Sequence, residues 1–348
     1  MADTKKIFSK NKFWAIILVA QFVLFFVLSK VRFTVDFFSE LFEWKKNVHN
    51  FLFSKIPFSF GDLAYTFLTV WLIFLLINIR KPKKNSGRKL LISFNIFYFI
   101  YQCFWGMLYF QTPIISKLNQ RKTTETDLKI LAEKYLTLCK ETRKKVSENE
   151  KGIFVIKNLS ELKNEILLLQ NQMDPKINSK KPIRVLSVKP SLYNYFMNFT
   201  GILGYYNPFT SEAQFNPNIP ATQIPFTLAH EMSHQLGYAR EQEASFSAYL
   251  IAKKSKNPDL VYSMQLYVLK SLLRNLSKNN EDFAKKILSE FSEKMKKDRE
   301  YEIEFYKNHE SFFSDIFGVT NDLFLKSNQQ NGQVSYNYFI YLVILYEL

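Results

Sequence analysis

Apolar residues crowd into the first third of the chain. Phe13–Leu28 carries one polar residue, Gln21, and no charge, and Leu63–Ile79 and Leu90–Phe110 are likewise uncharged. A bilayer core about 30 Å thick needs roughly 17–25 such residues in a helix. Three such runs, each flanked by cations, predict transmembrane helices at about 13–29, 63–79 and 90–110, within a membrane region covering residues 1–111. Residues 112–348 are more polar and read as a separate, mainly α domain with a minor β part. Thr126 to about Asn149 has the spacing of a long amphipathic helix with Thr126 as N-cap. Arg184–Val188 reads as a strand, and Gly204–Phe215, with its aromatic and turn residues, as a strand or hairpin. From Ile224 onward the spacing is helical. The last apolar run, Tyr338–Leu348, is too short to span a bilayer and reads as a docked terminal helix.

Cations set the expected orientation. Lys5, Lys6, Lys10 and Lys12 precede the first run as in a signal peptide, but Ser29-Lys30-Val31-Arg32 offers no small-residue cleavage site, so the run reads as an uncleaved anchor. The loop Arg80–Lys89 is densely basic and, with three crossings, lies on the side of the basic N-terminus, which the positive-inside rule makes cytoplasmic. The expectation is a bacterial inner-membrane protein with a cytoplasmic N-terminus, and with loop 30–62 and everything after Gln111 outside the cytoplasm. A formal charge of +16 would suggest nucleic acid in a soluble chain. No RNP, zinc-finger or P-loop pattern accompanies it, so the expected partner is the lipid bilayer and not nucleic acid. Two cysteines exclude a disulfide framework and a four-cysteine zinc site.

One motif carries chemistry. His230-Glu231-Met232-Ser233-His234 is an HExxH sequence. On a helix, residues four apart share a face, so both imidazoles can bind one Zn²⁺ while Glu231 acts as general base on an activated water. Pro225 suits the first turn of that helix and Gly237 its C-terminal cap. A catalytic zinc needs a third protein ligand and an open position. In the longer pattern HExxHxxGxxH, Gly237 is present, but Arg240 stands at the last position and cannot bind a cation. The next acids, Glu241 and Glu243, point about 200° apart on a helix starting near Ala239. Glu241 shares its face with Ala244, Ser245 and Ala248, small residues that let two helices pack closely. Glu241 is therefore favoured and Glu243 is the fallback, although either acid could simply complement a helix dipole.

Three stretches carry a family resemblance: Pro208-Phe209-Thr210-Ser211-Glu212-Ala213, Pro225 through Glu231, and Gly237-Tyr238-Ala239-Arg240-Glu241-Gln242-Glu243-Ala244-Ser245-Phe246. They resemble the bacterial membrane proteins called domain of unknown function 3810. The similarity extends to Ile56–Asp62 and to the late segment Phe324–Gln329 through Ser335-Tyr336, and so spans nearly the whole chain. It implies a membrane-anchored, zincin-like protein of the HExxH-plus-Glu kind and supplies no substrate. Glu241-Gln242-Glu243-Ala244-Ser245 is similar to the ExxAD pattern of gluzincins, which again selects Glu241, with Ser245 where an Asp often orients a ligand histidine.

Other residues are candidates on weaker grounds. Tyr205, Tyr206 or Tyr336 could stabilise an oxyanion, and Asn216 could hold substrate backbone or simply make the turn before Pro217. His309-Glu310 reads as a solvated pair, His49 as interfacial, and Gly61-Asp62 as a helix start or a docking point for the domain. The expectation is a zinc-dependent metallohydrolase, most simply a peptidase acting on envelope proteins or peptides. The alternative is a non-catalytic membrane module with a structural or degenerate zinc site.

Overall fold

The computed structural model describes residues 2–81, 85–311 and 335–348, with residues 2–10 and 335–337 described by their backbone alone. Four helices come first: α1 (Ala2–Leu28), α2 (Arg32–Ser54), α3 (Phe60–Ile77) and α4 (Ser86–Phe104). Asn11–Leu28 and Phe60–Ile77 are long and apolar enough to cross a membrane, and most of their side chains are exposed. Among the described residues these two helices meet that test, not the three expected.

The expected span at 90–110 is the one corrected. α4 begins early enough to include Arg88 and Lys89, buries Asn95 at its centre, and stops at Phe104. The rest of the apolar run, Gly106–Phe110, winds into a short 3-10 turn whose Met107, Leu108 and Tyr109 are buried. The run is thus split between a helix packed along α1 and α3 and a turn buried against the rest of the protein. Loop 30–62 differs as well, because α2 occupies most of it. α2 buries Val35, Phe38 and Phe42. Its Lys46 Nζ donates to Leu236 O at 3.1 Å and Lys181 O at 2.8 Å, and Lys45 Nζ donates to Pro208 O at 2.5 Å.

The start of α3 is bolted to the domain. Ser59 caps it, accepting from Asp62 N at 3.2 Å, and the Glu212 carboxylate accepts from Phe60 N at 3.2 Å and Gly61 N at 2.6 Å. Asp62 Oδ2 accepts from Leu192 N at 2.6 Å and Ser191 Oγ at 3.0 Å. Gly61 is needed for this approach: a Cβ there would lie 2.4 Å from Asn207 Nδ2. Gly61-Asp62 is therefore a docking point as well as a helix start.

In the domain follow α5 (Glu125–Arg143), α6 (Leu159–Leu169), β1 (Val188–Pro190), α7 (Asn194–Thr200), β2 (Gly204–Tyr206), β3 (Ala213–Phe215), α8 (Ile224–Leu236), α9 (Glu241–Lys253), α10 (Pro258–Leu276), α11 (Glu281–Ser289), α12 (Glu293–Asn308) and α13 (Ser335–Glu347). The cap of α5 lies two residues before the expected Thr126, because Thr124 and Asp127 form a capping box. β3 is the central strand, parallel to β1 and antiparallel to β2, with Gly204 opposite Phe215 and Tyr206 opposite Ala213. The main core lies among α5, α8, α9 and α10, where Leu228, Met232, Phe246 and Leu269 are fully buried. α13 closes it with Phe339, Leu342 and Val343, as expected of a docked terminal helix.

Candidate metal centre

α8 holds the HExxH residues, with Pro225 in its first turn. It ends at Gly237, whose φ of 109° is open to glycine and strained for other residues, and a Cβ there would press on the Phe42 ring at 2.9 Å. The turn from Gly237 to Arg240 reverses the chain so that α9 packs back on α8, with Ala244 and Ala248 fully buried.

This reversal brings three donors together. His230 Nε2 lies 3.1 Å from Glu241 Oε2, His234 Nε2 lies 3.5 Å from Glu241 Oε1, and the two Nε2 atoms are 3.2 Å apart. Each ring is held from behind. His234 Nδ1 is 2.6 Å from Tyr238 O, an acceptor only, so Nδ1 keeps its proton and Nε2 is the atom turned to the cluster. His230 Nδ1 is 3.1 Å from Ser245 Oγ, which Tyr267 of α10 contacts in turn. His230, His234 and Glu241 could hold one ion. The cluster is open at one end, where the Glu241 side chain is 24% exposed, against 6% for His234.

Glu231 sits beside the cluster on the same helix, 5% exposed. Its Oε2 is buried without a protein hydrogen-bond partner. Burial pushes its carboxyl up to about 8, with His234 opposing and Glu241 adding to the rise. It lies against β2: a Cβ on Gly204 would meet Glu231 Cγ at 2.8 Å and Gln214 O at 2.8 Å. Burial disfavours charge on His234, but Glu241 outweighs it and lifts the imidazole to about 9. His230 is lowered by burial, which Glu241 offsets in part. Burial also opposes charge on Glu241, yet the two histidines hold its carboxyl well below the usual range.

The other candidates lie elsewhere. Glu243 accepts from Ile114 N at 2.9 Å and pairs with Arg240 at 3.0 Å, so it ties α9 to the segment after α4. Tyr205 donates to Asp62 and belongs to the docking of α3. Tyr206 packs next to the cluster, its ring 6.4 Å from that of His234. The Asn216 side chain is consumed by Asn198, at 2.8 Å, and by the Asn218 N–H, at 3.0 Å, in the turn before α8. Tyr336, as a side chain, and Phe324–Gln329 lie outside the described residues. His49 is buried in part and lowered to about 4, mainly by that burial, with Lys45 adding to it.

Two contributors were missed from the sequence. Trp105 packs against Tyr206, ring centroids 4.6 Å apart and planes tilted by 40°, and lies 5.8 Å from the His234 ring. Gly204 makes room for Glu231, and its small size among aromatic neighbours was the available signal. Trp105 gave none, since it reads as part of an apolar run.

The arrangement defines a mostly helical protein whose His–His–Glu cluster joins an HExxH helix to the start of the next helix, with two further helices apolar enough for a membrane. The chain belongs to the family described as protein of unknown function DUF3810, whose family model matches residues 37–344 and leaves α1 outside. No curated protein and no solved structure matches the chain.

Proposed function

We propose that this chain is a membrane-anchored, zinc-dependent metallohydrolase, a peptidase with gluzincin-type ligands acting on envelope proteins or peptides outside the cytoplasm. The observation that carries this reading is the convergence of two Nε2 atoms and a carboxylate at 3.1–3.5 Å, with buried Glu231 alongside. A tetrahedral zinc about 2.0–2.2 Å from each donor would separate neighbouring donors by about 3.4 Å, so the donor set fits. Among the described residues the cluster has three such ligands, which supports a catalytic site over a closed structural one.

Zinc bound there would supply Lewis acidity toward a substrate carbonyl and a water. The remaining work falls to the chain. Glu231, whose carboxylate a dication beside it would favour, takes a proton from the attacking water at its unpartnered Oε2 and returns it to the leaving amine. Asn207 N donates to Glu212 O, and Leu203 O accepts from Asn216 N, so strand alternation turns the backbone groups of Gly204 and Tyr206 away from β3, to the outer edge of the sheet. An extended peptide can pair there.

The domain packs on the Phe60–Asp62 end of α3, opposite the end that leads to Arg80 and Lys81. The positive-inside rule then favours an extracytoplasmic domain on a bacterial inner membrane. The test is bound metal in detergent-purified protein with His234→Ala as blank, followed by Glu231→Gln. Expected are about one zinc per chain, lost in His234→Ala, and hydrolysis lost in Glu231→Gln with zinc retained. Undiminished hydrolysis in Glu231→Gln would sink the mechanism, and a parent protein that takes up no zinc would sink the site.

A further inference from the structure

α2 divides its surface three ways. At about 100° per residue, one side is buried: Val35 and Phe38 pack on Phe25 of α1 and Met107 of the turn after α4, while Phe42 and Lys46 face the domain. Asp36, Glu43 and Asn47 form a polar flank, with Glu40 at its margin. Between flank and domain runs an exposed apolar stripe of Phe33, Phe37, Trp44, Val48 and Phe51, with Phe33 79% and Trp44 66% exposed. Large apolar side chains at that spacing form a face that water does not cover well.

The two ends of α2 indicate what covers it. Only Ser29–Val31 separates its start from α1, and only Lys55–Ser59 separates its end from α3. Both neighbours are apolar enough to cross a membrane. Leu192, Tyr195 and Phe196 of the α7 region are also exposed at this level. They flank Tyr193, whose hydroxyl donates to Asp62 O at 2.6 Å in the first turn of α3.

We propose that α2 is an interfacial helix, lying along the bilayer surface with its stripe among the lipids, and that the metal cluster behind it works at that surface. The proposal rests on reading α1 and α3 as membrane spans. The link to the cluster is short: the Phe42 ring is 5.8 Å from Trp105, and Trp105 is 5.8 Å from His234. An interfacial helix buries its apolar face about 5–10 Å into the headgroup boundary.

The test uses the full chain in phosphatidylcholine–phosphatidylglycerol vesicles. Single nitroxide labels are placed through Phe33→Cys, Trp44→Cys, Val48→Cys, Phe67→Cys on α3 and Lys285→Cys on α11, in a Cys103→Ser background with buried Cys139 kept. Labels at 33, 44 and 48 are expected to collide with oxygen several-fold more than with a water-soluble nickel chelate, at a depth of about 5–10 Å. The label at 67 should sit deeper, and the label at 285 should show the reverse preference. If 33, 44 and 48 behave like 285 while 67 remains in lipid, the interfacial helix is overturned and the spans stand. If 67 also behaves like 285, the spans fall with it. Zinc content of each labelled chain, measured in parallel, reports separately on the metal site.

Discussion

Zinc uptake by this site should be coupled to proton release. Without metal, His234 is charged at neutral pH because Glu241 lifts it to about 9 against the opposing effect of burial. A metal needs the Nε2 lone pair, so binding at pH 7 must first displace that proton. The cost is about 1.36 kcal/mol per pH unit. Over the two units from pH 7 to 9 this comes to about 3 kcal/mol, on the order of a hundredfold in apparent affinity. Glu231, raised to about 8, adds a second source, since a dication beside it favours its carboxylate. Glu241 is already ionised and adds nothing. Calorimetric zinc titration in buffers of different ionisation enthalpy counts the protons, and chelator competition from about pH 6.5 to 9.5 follows the affinity. Expected are roughly one to two protons per zinc at pH 7, falling to about one in Glu231→Gln, and an affinity that climbs about ten- to a hundredfold per unit at neutral pH and levels near pH 9. Release of roughly half a proton or less, or an affinity flat across that window, would refute the coupling of His234 to Glu241. The metal-free fold carries the same sign. Its stabilisation from His234 is complete below the ordinary histidine pKa of about 6.5 and is lost as the pH rises toward 9.

Ser245→Ala removes the partner of His230 Nδ1 and should weaken zinc binding about 10–100-fold in chelator competition, with Ser245→Asp restoring most of it. Glu243→Gln should leave zinc affinity within about twofold, while Glu241→Gln loses about 100-fold or more; equal losses would mean that the ligand assignment is wrong. Gly204→Ala should cost about 1–3 kcal/mol of stability and most of the hydrolysis rate with zinc retained, because the new Cβ must displace Glu231 or the Gln214 carbonyl. Melting curves, bound metal and turnover measured on one preparation separate these effects.

The local part of the site was legible because its geometry is set within a few residues. His230 and His234 are one turn apart on a helix whose ends are marked by Pro225 and Gly237. The choice of Glu241 over Glu243 used their angular separation, the small residues on the face of Glu241 and the similarity to the ExxAD pattern. The start expected near Ala239 was two residues early, α9 beginning at Glu241, and this does not alter which of the two acids shares a face with Ala244 and Ser245. Ser245, set down as a departure from an orienting aspartate, lies where that aspartate was expected to act. Tyr205 and Asn216 were named for their nearness in the chain to the motif, but strand alternation and a turn send their side chains to Asp62 and Asn198 instead.

The remainder was hidden because hydropathy records avoidance of water without recording what replaces it. Leu90–Phe110 avoids water along its length, yet its first part packs on α1 and α3 and its last part is buried beside the cluster, and no periodicity separates the two. Loop 30–62 was assigned only a side of the membrane. Its Lys45 and Lys46 are buried because backbone carbonyls of the domain, more than a hundred residues away, accept hydrogen bonds from them. Both segments reach His234: Trp105 after α4 packs beside its ring, next to Tyr206 of β2, and Phe42 of α2 backs Trp105. The part of the site that the sequence conceals is therefore the part that joins it to the membrane region. Substitution of Phe42 or Trp105 should accordingly disturb His234 while leaving the HExxH helix itself intact.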